Sequence, residues 1–295
     1  MSVNGIITDI SRGSFHDGPG SRTVVYFKGC NLRCQWCHNP ETFSVKKDII
    51  YLEPKCIKCG RCLETFPECH KTVSDKLVID RTACVKCGKC ADLCPANAIQ
   101  IIGKEYTIDE VMKVVRKDKH FYIQSGGGVT LSGGECLLQS DFAAELLKEC
   151  KSEGINTAIE TGLFVPWKNI EKVLPYADLI FADLKIADSK KHLQYTGQEN
   201  GLILENMKKL TETAQNVIVR IPVIPTVNDS DADISAFSDV IKELGSGLRS
   251  VELLKYNNLA ESKYSSLGLS YTKFATETQT DEFISEMHCK IMSFC

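Results

Sequence analysis

Cys30, Cys34 and Cys37 sit in the run Gly29-Cys30-Asn31-Leu32-Arg33-Cys34-Gln35-Trp36-Cys37-His38-Asn39, and their type and spacing imply chemistry more directly than anything else in the chain. An iron–sulfur cubane is normally closed by four thiolates, so a site that offers three leaves one iron free to bind something that reacts. A CxxC pair alone would serve equally well as half of a zinc site or as a redox pair. The Cys-x₃-Cys-x₂-Cys spacing is the specific part of the signal.

The chain has 15 cysteines in 295 residues, and most fall in tight clusters that an extended disulfide framework would not use. A second group runs from Cys56 to Cys94. In it, Cys84-x₂-Cys87-x₂-Cys90-x₃-Cys94-Pro95 resembles the bacterial ferredoxin run residue for residue, and Cys56-x₂-Cys59-x₂-Cys62 begins the same pattern. In two-cluster ferredoxins the last cysteine of each run serves the other cluster. The resemblance therefore implies Cys56, Cys59, Cys62 and Cys94 on one cubane, and Cys69, Cys84, Cys87 and Cys90 on the other. The first repeat departs from the pattern: Cys69 is six residues beyond Cys62 and follows Pro67, so the neighbouring His70 stands as an alternative ligand. Cys136, Cys150, Cys289 and Cys295 are left over and are read as non-ligands, Cys150 as a small buried thiol on a helix and Cys295 as a frayed terminus.

A net charge of -3 and 43% hydrophobic residues fit a globular chain and give no electrostatic reason for nucleic-acid or membrane binding. No secretory signal or apolar run of about 18 residues is present, and the thiol-rich composition points to a reducing, cytoplasmic setting.

To position such a site, the sequence predicts strands at 24–27, 129–131, 157–160, 179–182, 217–221 and 251–254. Between them it predicts helices at 108–116, 140–152, 167–174, 202–213 and 232–244. Strands alternating with amphipathic helices imply parallel pairing through crossovers, here an α/β fold: a partial (β/α)6 TIM-like barrel with its ligands at the carboxyl ends of the strands. Residues 1–49 and 104–295 form that barrel, and 50–103 form an inserted α+β domain of bacterial ferredoxin type holding two [4Fe-4S] clusters. The motifs obey the rule: the cysteine loop follows the first strand, Gly133-Gly134-Glu135 the second, Glu160-Thr161 ends the third, Asp183-Leu184-Lys185 the fourth, and Arg220 lies near the end of the fifth.

Taken singly, Gly133-Gly134-Glu135 is a turn, Asp183 and Lys185 an ion pair, Arg220 a salt-bridge former at the barrel rim and Asp17 a turn cap. Taken together with the cysteine loop and Trp36, they resemble the radical S-adenosylmethionine (SAM) enzymes. The run Asp17-Gly18-Pro19-Gly20-Ser21-Arg22, just ahead of the first strand, narrows this to the activating enzymes of glycyl-radical enzymes, of the pyruvate formate-lyase activating enzyme type. The resemblance implies that Cys30, Cys34 and Cys37 bind the catalytic [4Fe-4S] cluster and that Gly133, Gly134 and Glu135 meet the methionine ammonium of SAM. It implies Lys185 at the SAM carboxylate, Arg220 on SAM or the partner peptide, and Trp36 with His38 and Asn39 on the adenine and ribose side. Glu160, Thr161, Asp183 and the Leu184 carbonyl would surround a monovalent cation, and Asp17 would meet the backbone of the target glycine. Two departures stand out: Cys136 occupies a position where relatives often have Pro, and Leu254-Lys255-Tyr256-Asn257 lacks a histidine that relatives often carry.

The activity so implied is reductive cleavage of SAM to a 5′-deoxyadenosyl radical, which removes a hydrogen atom from a glycine in the carboxyl-terminal loop of a partner enzyme. It takes place under anaerobic conditions, with flavodoxin or ferredoxin as electron donor. Three [4Fe-4S] clusters, one of them SAM-binding, would bring about twelve irons per chain. The alternatives are a radical SAM enzyme acting on a small molecule or peptide, and a plain electron-transfer iron–sulfur protein. The client enzyme, the role of the insert and the oligomeric state are not legible in the sequence.

Overall fold

The computed structural model describes residues 3–214 and 216–292; Cys295 lies outside them. The chain opens with an antiparallel pair, β1 (Gly5–Ser14) and β2 (Arg22–Phe27), linked by the loop that carries Asp17. After the three-cysteine loop, β3 (Asp48–Tyr51) begins the cysteine-rich segment. It continues through α1 (Arg61–Thr65), the hairpin β4 (His70–Val73) and β5 (Lys76–Ile79), α2 (Lys89–Asp92) and β6 (Ile99–Ile102). β6 returns antiparallel to β3, Asp48 opposite Ile102, so the segment leaves and re-enters the main body at one place.

The chain then forms β7 (Lys104–Tyr106), α3 (Ile108–Val115), α4 (Lys119–Ser125), β8 (Gly128–Gly133), α5 (Ser140–Ser152), β9 (Asn156–Thr161) and α6 (Trp167–Val173). It ends with β10 (Leu179–Asp183), α7 (Ser189–Thr196), α8 (Gly201–Thr213), β11 (Val217–Val223), α9 (Asp231–Leu244), β12 (Leu248–Lys255), α10 (Glu261–Leu267) and α11 (Asp281–Ile291). Local signals set the helix starts. Thr107 and Glu110 close a capping box on α3, Ser230 and Asp233 another on α9, and each pair satisfies N–H groups that a helix start leaves without partners.

One eight-stranded sheet runs β12-β11-β10-β9-β8-β2-β1-β7. From β2 to β12 every neighbouring pair is parallel, and these are the strands the sequence predicts. β8 shows why parallel central strands read as apolar runs: Gly128 to Ser132 are all buried, because helices cover one face and the barrel interior the other. β1 and β7 were not expected. They add antiparallel to the β2 edge, and β1 alternates too weakly between buried and exposed residues to announce itself in sequence. The core gathers β2, β8, β9, β10 and β11 with α3, α5, α8 and α9. Cys150 lies inside it, donating to Met112 Sδ at 3.7 Å, as a structural thiol should.

Candidate active site

The chain leaves β2 at Phe27 and turns through Gly29, whose φ of +105° suits glycine. The Gly29 N–H donates to the Thr42 carbonyl (2.8 Å), while the Gly29 carbonyl accepts from the Glu135 N–H (2.8 Å). The cysteine loop is thus tied both to the turn that follows it and to the end of β8. On its far side the Arg33 and Gln35 N–H groups donate to the Thr196 and Tyr195 carbonyls at 2.7 and 3.0 Å, using acceptors that the last turn of α7 leaves free.

No disulfide joins these cysteines. Burial pushes the Cys30 thiol up to about 11 and the Cys37 thiol up to about 12; neighbouring thiols reinforce the shift and Lys185 opposes it. Cys34 moves up through burial as well, again against Lys185. Three neighbouring thiols that each resist ionisation become thiolates together only when a metal centre replaces their protons. Among the described residues no three His, Cys, Asp or Glu side chains converge as a single ion requires.

At the end of β8 the glycines let backbones cross closely. A β-carbon on Gly133 would stand 2.5 Å from the Phe27 nitrogen, and one on Gly134 would stand 2.2 Å from the Gly29 oxygen. This brings Glu135, 2% exposed, beside the cysteine loop. Its carboxylate accepts from the Thr161 hydroxyl (2.9 Å to each oxygen), the Gly162 N–H (2.9 Å) and the Leu137 N–H (3.1 Å). Burial pushes Glu135 up to about 7 despite these bonds. Lys185 is half-buried and donates to Asp183 at 2.8 Å. Burial works against its charge, but Asp183 and the Cys34 and Cys30 thiols outweigh it, so Lys185 stays protonated. Asn228, fully buried, holds the Lys185 carbonyl at 2.8 Å; nothing in its sequence surroundings marks that role.

A second charged layer lies deeper in the barrel. Arg220 falls in the middle of β11, because that strand runs two residues past the expected end. Its register sets it between Asp183 on β10 and Glu252 on β12. It bonds Glu160 and Glu252, stacks 3.5 Å over the Phe181 ring and reaches the His16 carbonyl at 3.4 Å. Glu160 also accepts from Ser132, and burial pushes it up to about 6 while Arg220 pulls it down. Glu160, Thr161, Asp183 and Leu184 therefore stand on adjacent strand ends, Thr161 opposite Ala182. Their groups are engaged: Glu160 with Arg220, Thr161 with Glu135, Asp183 with Lys185, and the Leu184 N–H with the Arg220 carbonyl at 2.9 Å.

Asp17 sits over this layer. Its carboxylate accepts from Ser14, and its carbonyl accepts from the Thr130 hydroxyl at 2.7 Å. Thr130 in turn accepts from the fully buried Arg22, which also donates to the Val129 and Pro19 carbonyls and to Asn156.

Trp36 points away from open space, 7% exposed, into a cluster with Tyr195 and Phe274 at ring-centroid distances of 6.5 and 6.2 Å. Those partners lie more than a hundred residues along the chain and were missed in sequence. His38 Nε2 meets the Asn257 carbonyl at 3.2 Å, and Asn39 accepts from Lys263 at 2.8 Å.

In the cysteine-rich segment a cavity of about 530 Å³ is lined by Cys56, Cys59, Cys62 and Cys94, together with Cys90. Cys69 faces Cys84 instead, and Cys90 feels Cys84 and Cys87. The two repeats also share backbone geometry: Lys58 and Lys86 have φ of 55° and 56°, and Gly60 and Gly88 have 79° and 86°. Burial raises the Cys94 thiol, but N–H groups from Ile99, Ala98, Ala96 and Asn97 outweigh it and bring the thiol below its usual value. His70 is buried, with Nδ1 3.2 Å from the Phe66 carbonyl and Nε2 without a partner. Cys136 is buried behind Glu135, 3.6 Å from the Glu160 carbonyl, and Cys289 is exposed on α11.

Comparison with known proteins gives matches along most of the chain. Residues 24–237 match the Radical SAM superfamily. The sequence is 47% identical to the (2S)-3-sulfopropanediol dehydratase activating enzyme of Klebsiella oxytoca, covering 92% of this chain and 88% of that one. It is 40% identical to the trans-4-hydroxy-L-proline dehydratase activating enzyme of Clostridioides difficile, covering 97% and 95%. Among solved structures, Streptococcus suis SuiB bound to precursor peptide SuiA is similar in fold, with TM-score 0.51, 15% identity, and coverage of 84% of this chain and 42% of that one.

Proposed function

Because the chain belongs to the radical SAM superfamily, and within it to the activating enzymes of glycyl-radical enzymes, we propose that the pocket at the carboxyl ends of β2, β8, β9 and β10 holds a [4Fe-4S] cluster and SAM for use on a glycine of a partner enzyme. The observation that carries this reading is the meeting of three separately encoded groups in one pocket: the three-cysteine loop, Glu135 and Lys185. When bound, the cluster and SAM supply one-electron cleavage of a carbon–sulfur bond and a 5′-deoxyadenosyl radical able to take a glycine hydrogen atom.

The chain's own residues do the rest. Cys30, Cys34 and Cys37 would hold the cluster, and three ligands would leave one iron open to SAM. Glu135 would accept from the methionine ammonium, and the protonated Lys185 would exchange Asp183 for the methionine carboxylate, one charge-assisted bond for another. Asp183, freed in this way, would join Glu160, Thr161 and the Leu184 carbonyl as oxygen ligands for a monovalent cation. The packed aromatics around Trp36 keep water from the cluster side, with His38 and Asn39 near the nucleoside. Asp17 offers its carboxylate to the N–H of the incoming glycine, and Arg220 holds the Asp17 loop through the His16 carbonyl.

The insert, residues 50–103, would hold two further cubanes, one on Cys56, Cys59, Cys62 and Cys94 and the other on Cys69, Cys84, Cys87 and Cys90. The shared cavity of the first set and the pairing of Cys69 with Cys84 support this partition over ligation by His70. Such a protein needs a low-potential donor, flavodoxin or ferredoxin, and an anaerobic, reducing cytoplasm. Among the described residues no helix is long and apolar enough to cross a membrane. The Klebsiella relative makes a (2S)-3-sulfopropanediol dehydratase the first client to assay.

The test is anaerobic reconstitution with iron, sulfide, reductant and SAM, followed by measurement of 5′-deoxyadenosine and of a glycyl doublet in the client by electron paramagnetic resonance. Cys34→Ala should abolish both signals. Cleavage of SAM by that variant at the parent rate would refute the assignment.

A further inference from the structure

Helix α10 packs against the turn Pro40–Thr42 that follows the three-cysteine loop. Lys263 bonds Asn39 and Glu41, each at 2.8 Å, and Arg81 of the insert donates to the Ser266 carbonyl at 2.8 Å, so the helix is pinned from both sides. Between these contacts lies Tyr264, 5% exposed, with its ring against Tyr271 at a centroid distance of 5.2 Å. Tyr271 has a hydroxyl partner in Tyr256, 3.1 Å away. The hydroxyl of Tyr264 is buried with none.

A buried hydroxyl without a hydrogen bond is costly and uncommon, and each instance calls for an explanation. The ionisable groups that act most strongly on this phenol are Cys37, then Cys34, Tyr271 and Glu41. A phenol keeps its proton at neutral pH, so the group is a donor. The Asn39 N–H donates to Cys37 Sγ at 3.3 Å, a backbone bond that leaves sulfur lone pairs free.

We infer that the Tyr264 hydroxyl donates a hydrogen bond to the Cys37 sulfur once the loop holds its cluster, and that this bond sets the cluster's reduction potential. The inference rests on the reading of the three-cysteine loop as the SAM-binding cluster site. Tyr264 is a positioning residue in this scheme, since it acts through Cys37. A donor aimed at a thiolate withdraws electron density and favours the reduced cluster, so losing it makes reduction harder.

The test is a redox titration of the fully reconstituted protein, followed by electron paramagnetic resonance, with the SAM-site cluster identified as the signal that changes shape when SAM is added. Tyr264→Phe should shift that cluster to lower potential, leaving it about threefold to tenfold less reduced at a fixed potential, tenfold being 59 mV for a one-electron couple. Tyr271→Phe, which removes the neighbouring hydroxyl, should leave the potential where it is. If Tyr264→Phe does not fold, 3-fluorotyrosine at position 264 keeps the shape and strengthens the donor, and should shift the potential upward. Equal potentials in the parent and in the folded Tyr264 variant would overturn the role of Tyr264 alone. A parent protein with no SAM-responsive signal would overturn the reading of the cluster site, and this inference with it.

Discussion

Thr161 gives its hydroxyl to both carboxylate oxygens of Glu135 at 2.9 Å, so two strand-end motifs that are separate in sequence form one hydrogen-bonded unit. That unit holds Glu135 in place for a ligand ammonium while burial pushes its pKa up to about 7. An ammonium needs the ionised form, which is lost as pH falls through that value. SAM affinity should therefore be level above about pH 7.5 and weaken by up to about tenfold per unit below 7. Anaerobic calorimetric titration from pH 8 to 6 measures this directly, and Glu135→Gln should bind weakly with a flat profile. An undiminished affinity in the parent at pH 6 would show that Glu135 does not receive the ammonium.

Arg22 is fully buried with four neutral partners and no carboxylate bonded to it, and burial brings its pKa down to about 10. It remains charged at neutral pH, and its hydrogen bonds fasten the Pro19 carbonyl and Thr130, which in turn holds the Asp17 carbonyl. Arg22→Ala would strand those buried acceptors. With bonds to charged groups worth about 1.5–3 kcal/mol each, a loss of about 3 kcal/mol or more in urea unfolding is expected. Arg22→Lys should recover only part of this, because an ammonium cannot reproduce the fork of the guanidinium.

The parallel strands and most site residues were legible because period and spacing are local signals: each core strand is a short apolar run, and each motif sits at its carboxyl end. β1 and β7 were not legible, because β1 alternates only weakly between buried and exposed residues and β7 is a three-residue edge strand. The true place of Arg220 followed from where β11 ends, and element boundaries are the weakest part of any reading from sequence. Asn228, Tyr195, Phe274 and Tyr264 could not be found at all. Each reaches the site by tertiary packing from a segment whose own sequence reads as ordinary loop or helix.

Asp17 should govern the coupling of the two half-reactions. Its carboxylate accepts from Ser14 and its carbonyl from Thr130 in the middle of β8, which fixes the Asp17 loop against the Arg220 layer. Asp17→Ala removes an acceptor for the incoming glycine backbone. The yield of glycyl radical per 5′-deoxyadenosine should then fall by about tenfold or more, the equivalent of one hydrogen bond to a charged acceptor. Spin counting on the client alongside chromatography of the nucleoside gives the ratio. A ratio equal to that of the parent would remove Asp17 from partner recognition.

The cysteine-rich segment has little apolar core of its own: its buried cluster is Ile49, Cys90 and Ile99, and several of the residues packed on it are cysteines. So small a core rarely folds unaided, and metal ligation should supply much of its stability. Cys87→Ala should lower the iron content from about twelve to about eight per chain while keeping the SAM-responsive signal, and Cys56→Ala should do the same independently. Removing iron with a chelator should expose 50–103 to proteolysis before the barrel is cut. If the Cys87 variant retained all its iron, Cys84, Cys87 and Cys90 would not be holding a cluster, and the close match of the two turns at Lys58–Gly60 and Lys86–Gly88 would need another cause.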